Sequence, residues 1–328
     1  MLTANKPSKP KLVATVGPAS VELVQELAAA GCDTFRLNAS HLTPERLGEY
    51  LERIRRVLPH QGVVVDLQGA KMRLGEFTER PVHRGERLRF TSDDTDRDAL
   101  PLPHPELLAA VEPGEILSCD DGRLALRVVA VSSGALEVEC ESDGWLHPRK
   151  GINRRDHPVD PIDLSARDIE HLRVAAGFPG IALACSFMKD GTEAQWIRRR
   201  APSSPITGKI ERQEALDNVN AIAAAVDEAW ICRGDLGAQI GLVNLARWVC
   251  AFDPQQVSIP VLMAGQVLEH LTQHAAPTRS EVCHLYRIVE QGYAGIVLSD
   301  ETAIGADPVR AATIAASLLR EMSGGPAG

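Results

Sequence analysis

Short apolar runs recur along this chain at the spacing of a strand-helix repeat, and that beat restricts the fold more than any single motif. Runs at 11 to 15, 33 to 38, 62 to 66, 180 to 184, 205 to 209, 228 to 232, 260 to 264 and 294 to 298 read as strands. They are apolar at nearly every position rather than at every second one, which marks strands buried on both faces of a parallel sheet. Helical patterns fill the gaps: about 21 to 30 with Ser20 as cap, Thr43 and Pro44 to about Leu58, 165 to 176, 191 to 199, 214 to 225 and 242 to 251. Further helical stretches follow near 266 to 272, at 279 to 291, and from Asp307-Pro308 to about Met322. Eight strands, each followed by a helix or an insertion, predict an α/β fold of the (β/α)8 TIM-barrel type.

From about Gly75 to Asn153 the beat stops. Strand-like pieces at Arg87-Leu-Arg-Phe90, Glu115-Ile-Leu-Ser118, 124 to 131 and 135 to 140 are separated by Gly, Pro and Asp turns. This stretch reads as a small all-β, β-barrel-like domain inserted after strand three, on two connections that would suit a lid. The organisation expected is a barrel built from 1–74 and 154–328 with an inserted domain at 75–153. Without the insert about 250 residues remain, the usual size of this barrel.

Composition narrows the partners. A formal net charge of −9 over 328 residues argues against nucleic acid bound through a broad basic face. No run approaches the roughly 20 apolar residues of a membrane span, so no membrane partner is expected. The seven Cys stand singly with no C-x-x-C, and Met1-Leu-Thr-Ala-Asn-Lys-Pro-Ser-Lys-Pro10 lacks the apolar core of a signal peptide. A reducing cytoplasm is the compartment these features suit. Trp145, Trp196, Trp230 and Trp248 are too dispersed for a stacking platform, and Arg198-Arg-Arg200 ends a helix as a solvated, dipole-complementing cluster.

Polar residues gather just after the strands: Arg36, Asn38, Ser40, Asp66, Arg73, Lys209, Glu211, Asp235, Ser299 and Glu301. In a (β/α)8 barrel the strand C-termini form one face, so these residues would converge. Lys209 supplies a cation, and Glu211 and Asp235 supply carboxylates. A hard divalent ion takes one or two protein carboxylates and completes its shell with substrate oxygens and water. A Lys beside it would stabilise charge building on a phosphoryl or enolate group. Taken one segment at a time, an ordinary ion pair at a strand end remains the alternative.

The motifs in order resemble the pyruvate kinase family across nearly the whole chain. Lys11 to Ser20 is similar to its opening strand and turn, and Arg36-Leu-Asn-Ala-Ser-His41 to its Arg-Leu-Asn-x-Ser-His segment. Asp66-Leu-Gln-Gly-Ala-Lys-Met-Arg73 resembles its Asp-x-x-Gly-Pro-x-x-Arg hinge, and Asp120-Asp-Gly122 and Lys150-Gly-Ile-Asn153 its lid motifs. Ser186-Phe187, Lys209-Ile-Glu211, Arg233-Gly-Asp-Leu-Gly237, Pro277-Thr-Arg279 and Leu298-Ser-Asp-Glu-Thr302 complete the series.

The resemblance implies phosphoryl transfer between phosphoenolpyruvate and ADP, giving pyruvate and ATP. Glu211 and Asp235 would hold Mg²⁺ (or Mn²⁺), Lys209 would stabilise the phosphoryl group in flight, and Arg36 and Arg73 would clamp it. Ser299 and Glu301 join the catalytic set, and Gly234, Asp235, Gly265, Ser186 and Phe187 the substrate side. The backbone N–H groups after Gly234 would take the substrate carboxylate at a helix N-terminus. Thr15, Pro18, Asn38, His41 and Lys150 would face the nucleotide. Asn38, Ser40, Asp66, Leu67 and Lys71 would form the monovalent-cation site or its substitute. The family usually needs K⁺, but a K⁺-independent subset carries Leu-Gln and a Lys where this chain has Leu67-Gln68 and Lys71, so K⁺ is not expected to be required.

Two departures accompany the match. Where the family has Ala-Thr-Gln-Met, this chain has Ala264-Gly-Gln-Val267, so Gly265 lacks the hydroxyl that assists enolate protonation. General acid-base help is worth about 10²–10⁴-fold. That keeps two other readings open: a metal-enolate enzyme acting on pyruvate or another keto acid, and a catalytically retired metabolite-binding barrel. The family's C-terminal effector domain has no counterpart in the sequence, so its sugar-phosphate switch is not expected. A homodimer or higher homo-oligomer through the barrel is left open by the sequence, as is a monomer.

Overall fold

The computed structural model describes residues 9–93, 95–120, 122–132, 134–155 and 158–324. Most of the leader, Asp121 of the Asp120-Asp-Gly122 stretch and the last residues of the Gly-Gly-Pro-Ala-Gly tail lie outside the described residues. The chain divides into two compact units, one of Met1–Gly69 with Leu164–Gly328 and one of Ala70–Asp163.

The first unit is a closed barrel of eight parallel strands: β1 (Lys11–Thr15), β2 (Thr34–Asn38), β3 (Gly62–Leu67), β4 (Ile181–Cys185), β5 (Ile206–Ile210), β6 (Glu228–Cys232), β7 (Val261–Ala264) and β8 (Gly295–Leu298). Each strand pairs with its sequence neighbours, and β1 pairs with β8 to close the ring. All five residues of β5 and all four of β7 and β8 are buried, as strands walled in by barrel interior and helices must be. Val13, Val64, Ala184, Trp230, Leu262 and Val297 pack together as one cluster. Trp230 is the largest of them, and its indole N–H donates to Glu228 Oε1 at 2.8 Å, so no polar atom is stranded.

Caps fix several of the helices. The helix Pro44–Val57 is capped by Thr43, whose hydroxyl accepts from the Arg46 N–H. The helix Arg279–Gln291 opens on a full capping box between Thr278 and Glu281. Elsewhere the local reading fails for identifiable reasons. Ser20 does not cap the next helix; its Oγ accepts from the Gly17 N–H at 3.1 Å, and the segment starts as a 3-10 turn at Val21–Leu23 before Val24–Ala29. The 214 to 225 helix breaks at Asn218 into Gln213–Asp217 and Val219–Ala225, because the Asn218 amide donates to the carbonyls of Glu214 and Lys189. The helix expected at 191 to 199 is only Ala194–Arg198, since Glu193 turns its carboxylate back onto the N–H groups of Lys189 and Gly191. Near 266 to 272 the only helical piece is the 3-10 turn Glu269–Thr272. One further helix, Arg233–Ile240, grows straight out of β6 despite its two glycines.

The second unit carries a six-stranded sheet, a separate two-stranded ribbon and the helix Pro105–Ala110. Its core is built on Phe90, Leu117, Leu126, Leu136 and Val138. The unit is wider than 75–153 because Met72 and Leu74 are buried in that core, Val159 packs against it, and Arg73 bridges Gly151. Barrel-like closure is not seen among the described residues. The sheet order ends at the short strand Leu100–Pro101, whose proline has no N–H to extend a ladder.

The β1–β8 seam carries its own test. A Cβ on Gly295 would stand 2.1 Å from the Lys11 carbonyl oxygen, which is backbone and cannot rotate away. Gly295→Ala should therefore cost at least the 1–3 kcal/mol typical of overpacking. Chemical denaturation measures it, and an unchanged midpoint would contradict this account of the seam.

Candidate active site

The C-terminal ends of β1 to β5 deliver a cluster of charged and hydroxyl groups whose centre is Lys209. Its side chain comes from the fourth residue of β5 and is 8% exposed. The ammonium has three donors and three partners: Ser186 Oγ at 2.8 Å, Asp66 Oδ2 at 3.1 Å and Glu211 Oε1 at 3.0 Å. Asp66, near the end of β3, also receives Arg36 from β2, whose Nε and Nη2 both lie 2.7 Å from Oδ2. The remaining arm of Arg36 donates to Thr15 Oγ1 at 3.0 Å, and that hydroxyl passes its own proton to the Leu298 carbonyl at 2.7 Å. Ser186 shares its proton between the Leu67 carbonyl at 2.9 Å and Asp66 Oδ1 at 3.2 Å.

Glu211 follows β5 directly. Its second oxygen accepts the Phe187 N–H at 2.8 Å, and Phe187 holds a left-handed backbone, φ 60°, which a bulky side chain adopts only at a cost of about 1–3 kcal/mol. That strain sits where a backbone donor is aimed at a buried carboxylate.

Opposite charges decide the ionisation of the cluster. Burial alone would drive the Lys209 ammonium down, but Asp66 and Glu211 more than reverse this and its pKa is raised. Burial would push the Asp66 carboxyl up, and the two cations Lys209 and Arg36 instead bring it below its ordinary 3.8. Arg36 is raised against burial by Asp66. Lys209, Arg36 and Asp66 are thus held as ions.

The structure brings Lys209, Asp66, Glu211, Arg36, Ser186, Thr15 and the Leu67 carbonyl into one network. Other residues on the same rim do different work. Asn38 Oδ1 accepts the Ser40 N–H at 3.2 Å and caps the turn Ala39–His41, with His41 and Pro18 exposed. Glu301, 1% exposed, spends its oxygens on the N–H groups of Ser299 (2.7 Å) and Leu268 (3.1 Å), and burial raises its pKa. It ties the exit of β8 to the loop after β7. Gly234 and Asp235 occupy the first turn of Arg233–Ile240. Lys71, Arg73 and Lys150 belong to the second unit. There Arg73 donates to the Arg149 carbonyl at 2.9 Å, and Lys150 Nζ lies 3.0 Å from Asp120 Oδ1.

Gly265 has a backbone reason to be glycine. Its φ is +79°, and a Cβ there would meet the Gly234 nitrogen at 3.2 Å and the Arg233 nitrogen at 3.4 Å. The Gly265 and Gln266 carbonyls accept from Arg233, whose Nη1 lies 2.5 Å from His284 Nε2. Sequence reading took Gly265 as a missing hydroxyl and assigned nothing to the Arg233 side chain or to His284. It also passed over Asp168, whose carboxylate accepts the Gln68 and Gly69 N–H groups from a hundred positions away. No local pattern announces contacts at that separation.

Among the described residues no group of three or more His, Cys, Asp or Glu is arranged to hold a metal. Glu211 and Asp235 are instead two hard carboxylates that follow adjacent strands, where Ile210 of β5 pairs with Ile231 of β6. That donor chemistry fits a magnesium ion finishing its shell with water and substrate.

Fold and site together define a (β/α)8 barrel with a buried, charge-balanced cation-carboxylate cluster at its C-terminal rim. Residues 7–312 match the family model described as pyruvate kinase, barrel domain. Among curated relatives, the pyruvate kinase of Methylorubrum extorquens is 34% identical over 315 residues, covering 92% of this chain and 66% of the relative. An Agrobacterium vitis pyruvate kinase is 32% identical over 95% of this chain and 69% of its own, and pyruvate kinase II of Salmonella typhimurium 32% over 91% and 66%. The chain belongs to the pyruvate kinase family. It spans about two thirds of the length of these relatives.

Removing the shared counter-charge tests the network. Asp66→Asn keeps the shape but leaves Arg36 and Lys209 buried without it, and breaking a buried pair costs about 3–5 kcal/mol. A depressed carboxyl stabilises above its unfolded pKa and loses that contribution as pH falls through the folded one. The wild-type protein should therefore lose stability on acidification below about pH 4, and Asp66→Asn should flatten that limb. Equal stability of the two proteins at pH 7 in urea titrations would contradict the arrangement.

Proposed function

We propose that this chain transfers a phosphoryl group between phosphoenolpyruvate and ADP, forming pyruvate and ATP. The observation that carries the reading is the neutral Lys209–Asp66–Arg36–Glu211 network in a pyruvate kinase family barrel. Two cations and two carboxylates leave no surplus positive charge. A phosphate at pH 7 brings about −1.5 to −2, and the substrate's carboxylate adds another negative charge. Further cations must therefore enter with the substrate: a divalent ion on Glu211 and Asp235, with Arg73 the side chain that would add to the clamp.

In this reading the divalent ion, when bound, supplies Lewis-acid charge neutralisation. The chain's own groups do the rest. Lys209 exchanges a carboxylate partner for a phosphoryl oxygen and holds it while charge redistributes. Arg36 orients the same group, kept in place by Thr15 and Asp66. The N–H groups at the start of Arg233–Ile240 take the substrate carboxylate, favoured by the helix dipole. Ser186, Phe187 and Gly265 border the substrate; Ser299 and Glu301 brace the rim. Thr15, Pro18, Asn38, His41 and Lys150 face the nucleotide.

In this reading Lys71, following Leu67-Gln68, would serve as a tethered ammonium in place of the K⁺ that Asn38, Ser40, Asp66 and Leu67 would otherwise hold. The seven free cysteines fit a reducing cytoplasm, and exposed Leu242 and Val243 favour self-association through the barrel. Among the described residues no helix is long and apolar enough to cross a membrane. The absent hydroxyl at Gly265 favours a second reading, in which the same site, with Glu211 and Asp235 able to hold a metal that would stabilise enolate charge, acts on pyruvate or another keto acid.

A coupled assay for pyruvate decides between them. Turnover of phosphoenolpyruvate with ADP should require Mg²⁺ or Mn²⁺ and be indifferent to K⁺. Glu211→Gln should lower kcat by about 10²–10³-fold, the scale of losing one preorganised charge contact. Lys71→Gln should lower kcat and regain part of it on adding K⁺. No phosphoenolpyruvate turnover, with exchange of a keto acid's α-protons in its place, would favour the second reading. A wild-type requirement for K⁺ would overturn the role of Lys71.

Gly265→Thr does not cleanly restore the missing hydroxyl. Placing a β-branched residue at φ +79° costs about 1–3 kcal/mol, so this variant should melt earlier than the parent whatever its turnover. An unchanged Tm would contradict the conformation described for this position.

A further inference from the structure

Asp168 lies in the first turn of the helix Ala166–Ala176 and is 1% exposed. Its two oxygens accept two consecutive backbone donors, the Gln68 N–H at 2.9 Å and the Gly69 N–H at 3.0 Å. These are the residues by which the chain leaves β3. An acceptor-only carboxylate serves both donors; an amide in its place would turn one NH₂ against an N–H.

The turn that Asp168 holds is pressed against the site. Gly69 has φ +59°, and a Cβ on it would fall 2.5 Å from the Ser186 carbonyl oxygen and 2.7 Å from the Ser186 nitrogen. The backbone of 68 and 69 therefore sets where Ser186 stands. Ser186 in turn donates to Leu67 and Asp66 and accepts from Lys209. The helix is itself fastened at the neighbouring strand exit, where the Leu42 carbonyl accepts from Arg167 Nη2 at 3.0 Å and His171 Nε2 at 2.9 Å. Ser165 caps it. One short helix thus ties the loops after β2 and β3 into a single register.

We propose that Asp168 is a positioning residue: through the Gln68–Gly69 turn and Ser186 it fixes the place of the Lys209 ammonium. The inference rests on the phosphoryl-transfer reading for its kinetic consequence and on geometry alone for its structural one. What holds the Asp168 charge is hydrogen-bond donors, against burial and the like charge of Asp66, and burial pushes the carboxyl up to about 6. A site kept at that cost, away from the reacting groups, is explained by the backbone it immobilises.

The test compares wild type, Asp168→Asn and a control, Leu319→Ala, which removes a fully buried side chain from the helix Pro308–Ser323. Misplacing a reacting group by about 1 Å costs roughly 10²-fold, and losing an interaction made mainly in the transition state lowers kcat with little change in KM. Asp168→Asn should therefore reduce kcat about 10–100-fold with the KM for phosphoenolpyruvate within about threefold. Leu319→Ala should lower Tm and leave kcat alone at temperatures where it stays folded. Independently of any activity, hydrogen exchange of the Gln68 and Gly69 amides should speed up at least tenfold in Asp168→Asn and stay as in wild type in Leu319→Ala. Unchanged exchange at those two amides would overturn the proposal, as would a kcat loss that Leu319→Ala reproduces. If wild type turns over no phosphoenolpyruvate, the phosphoryl-transfer reading fails and the exchange comparison alone decides the role of Asp168.

Discussion

The rest of the site depends on keeping one ammonium ionised inside a protein wall. Lys209 is almost wholly buried, and taking such an ion out of water costs several kcal/mol even after relaxation. Asp66 and Glu211 offset that cost by direct pairing at about 3 Å, and Arg36 keeps Asp66 from being pulled toward neutrality. Each ion is tolerable only because the others are there. The barrel makes this possible by bringing strand ends from distant parts of the sequence to one rim, so that four charges meet without a loop having to fold around them.

The same balance explains why the cluster is poised rather than inert. A network whose charges cancel is stable without ligand, and in the proposed function an incoming phosphoryl group would take the place of oxygens that now hold the three donors of Lys209. Left-handed backbone lies beside it. Phe187 and Gln266 adopt it at a cost and Gly69 and Gly265 without one, giving the Phe187 N–H to Glu211, the Gly69 N–H to Asp168 and the Gly265 and Gln266 carbonyls to Arg233. Rigid backbone at such positions is how a site keeps its geometry when the side chains exchange partners.

Much of this was legible beforehand. Continuous apolar runs gave the strands because burial on both faces leaves a strand no polar alternative, and the charged residues after them marked the rim. The exchange of partners by short polar side chains was not legible. Ser20 turned to Gly17, Asn218 broke a helix by reaching Lys189, and Glu193 folded back on its own loop, all contacts that compete with helix formation without any periodic trace. Gly265 read as a lost hydroxyl because a one-letter comparison shows side chains and hides φ. Asp168 went unnoticed because its partners lie on a strand exit far away in sequence.

The most direct test of the central claim is the anomalous scattering of Mn²⁺ in crystals grown with oxalate, a mimic of enolpyruvate. The account predicts one strong peak within coordination distance of both the Glu211 and Asp235 carboxylates, with the Lys209 ammonium turned onto the bound anion. A peak touching neither carboxylate, or Lys209 still paired with Asp66 and Glu211 beside a bound oxalate, would contradict it.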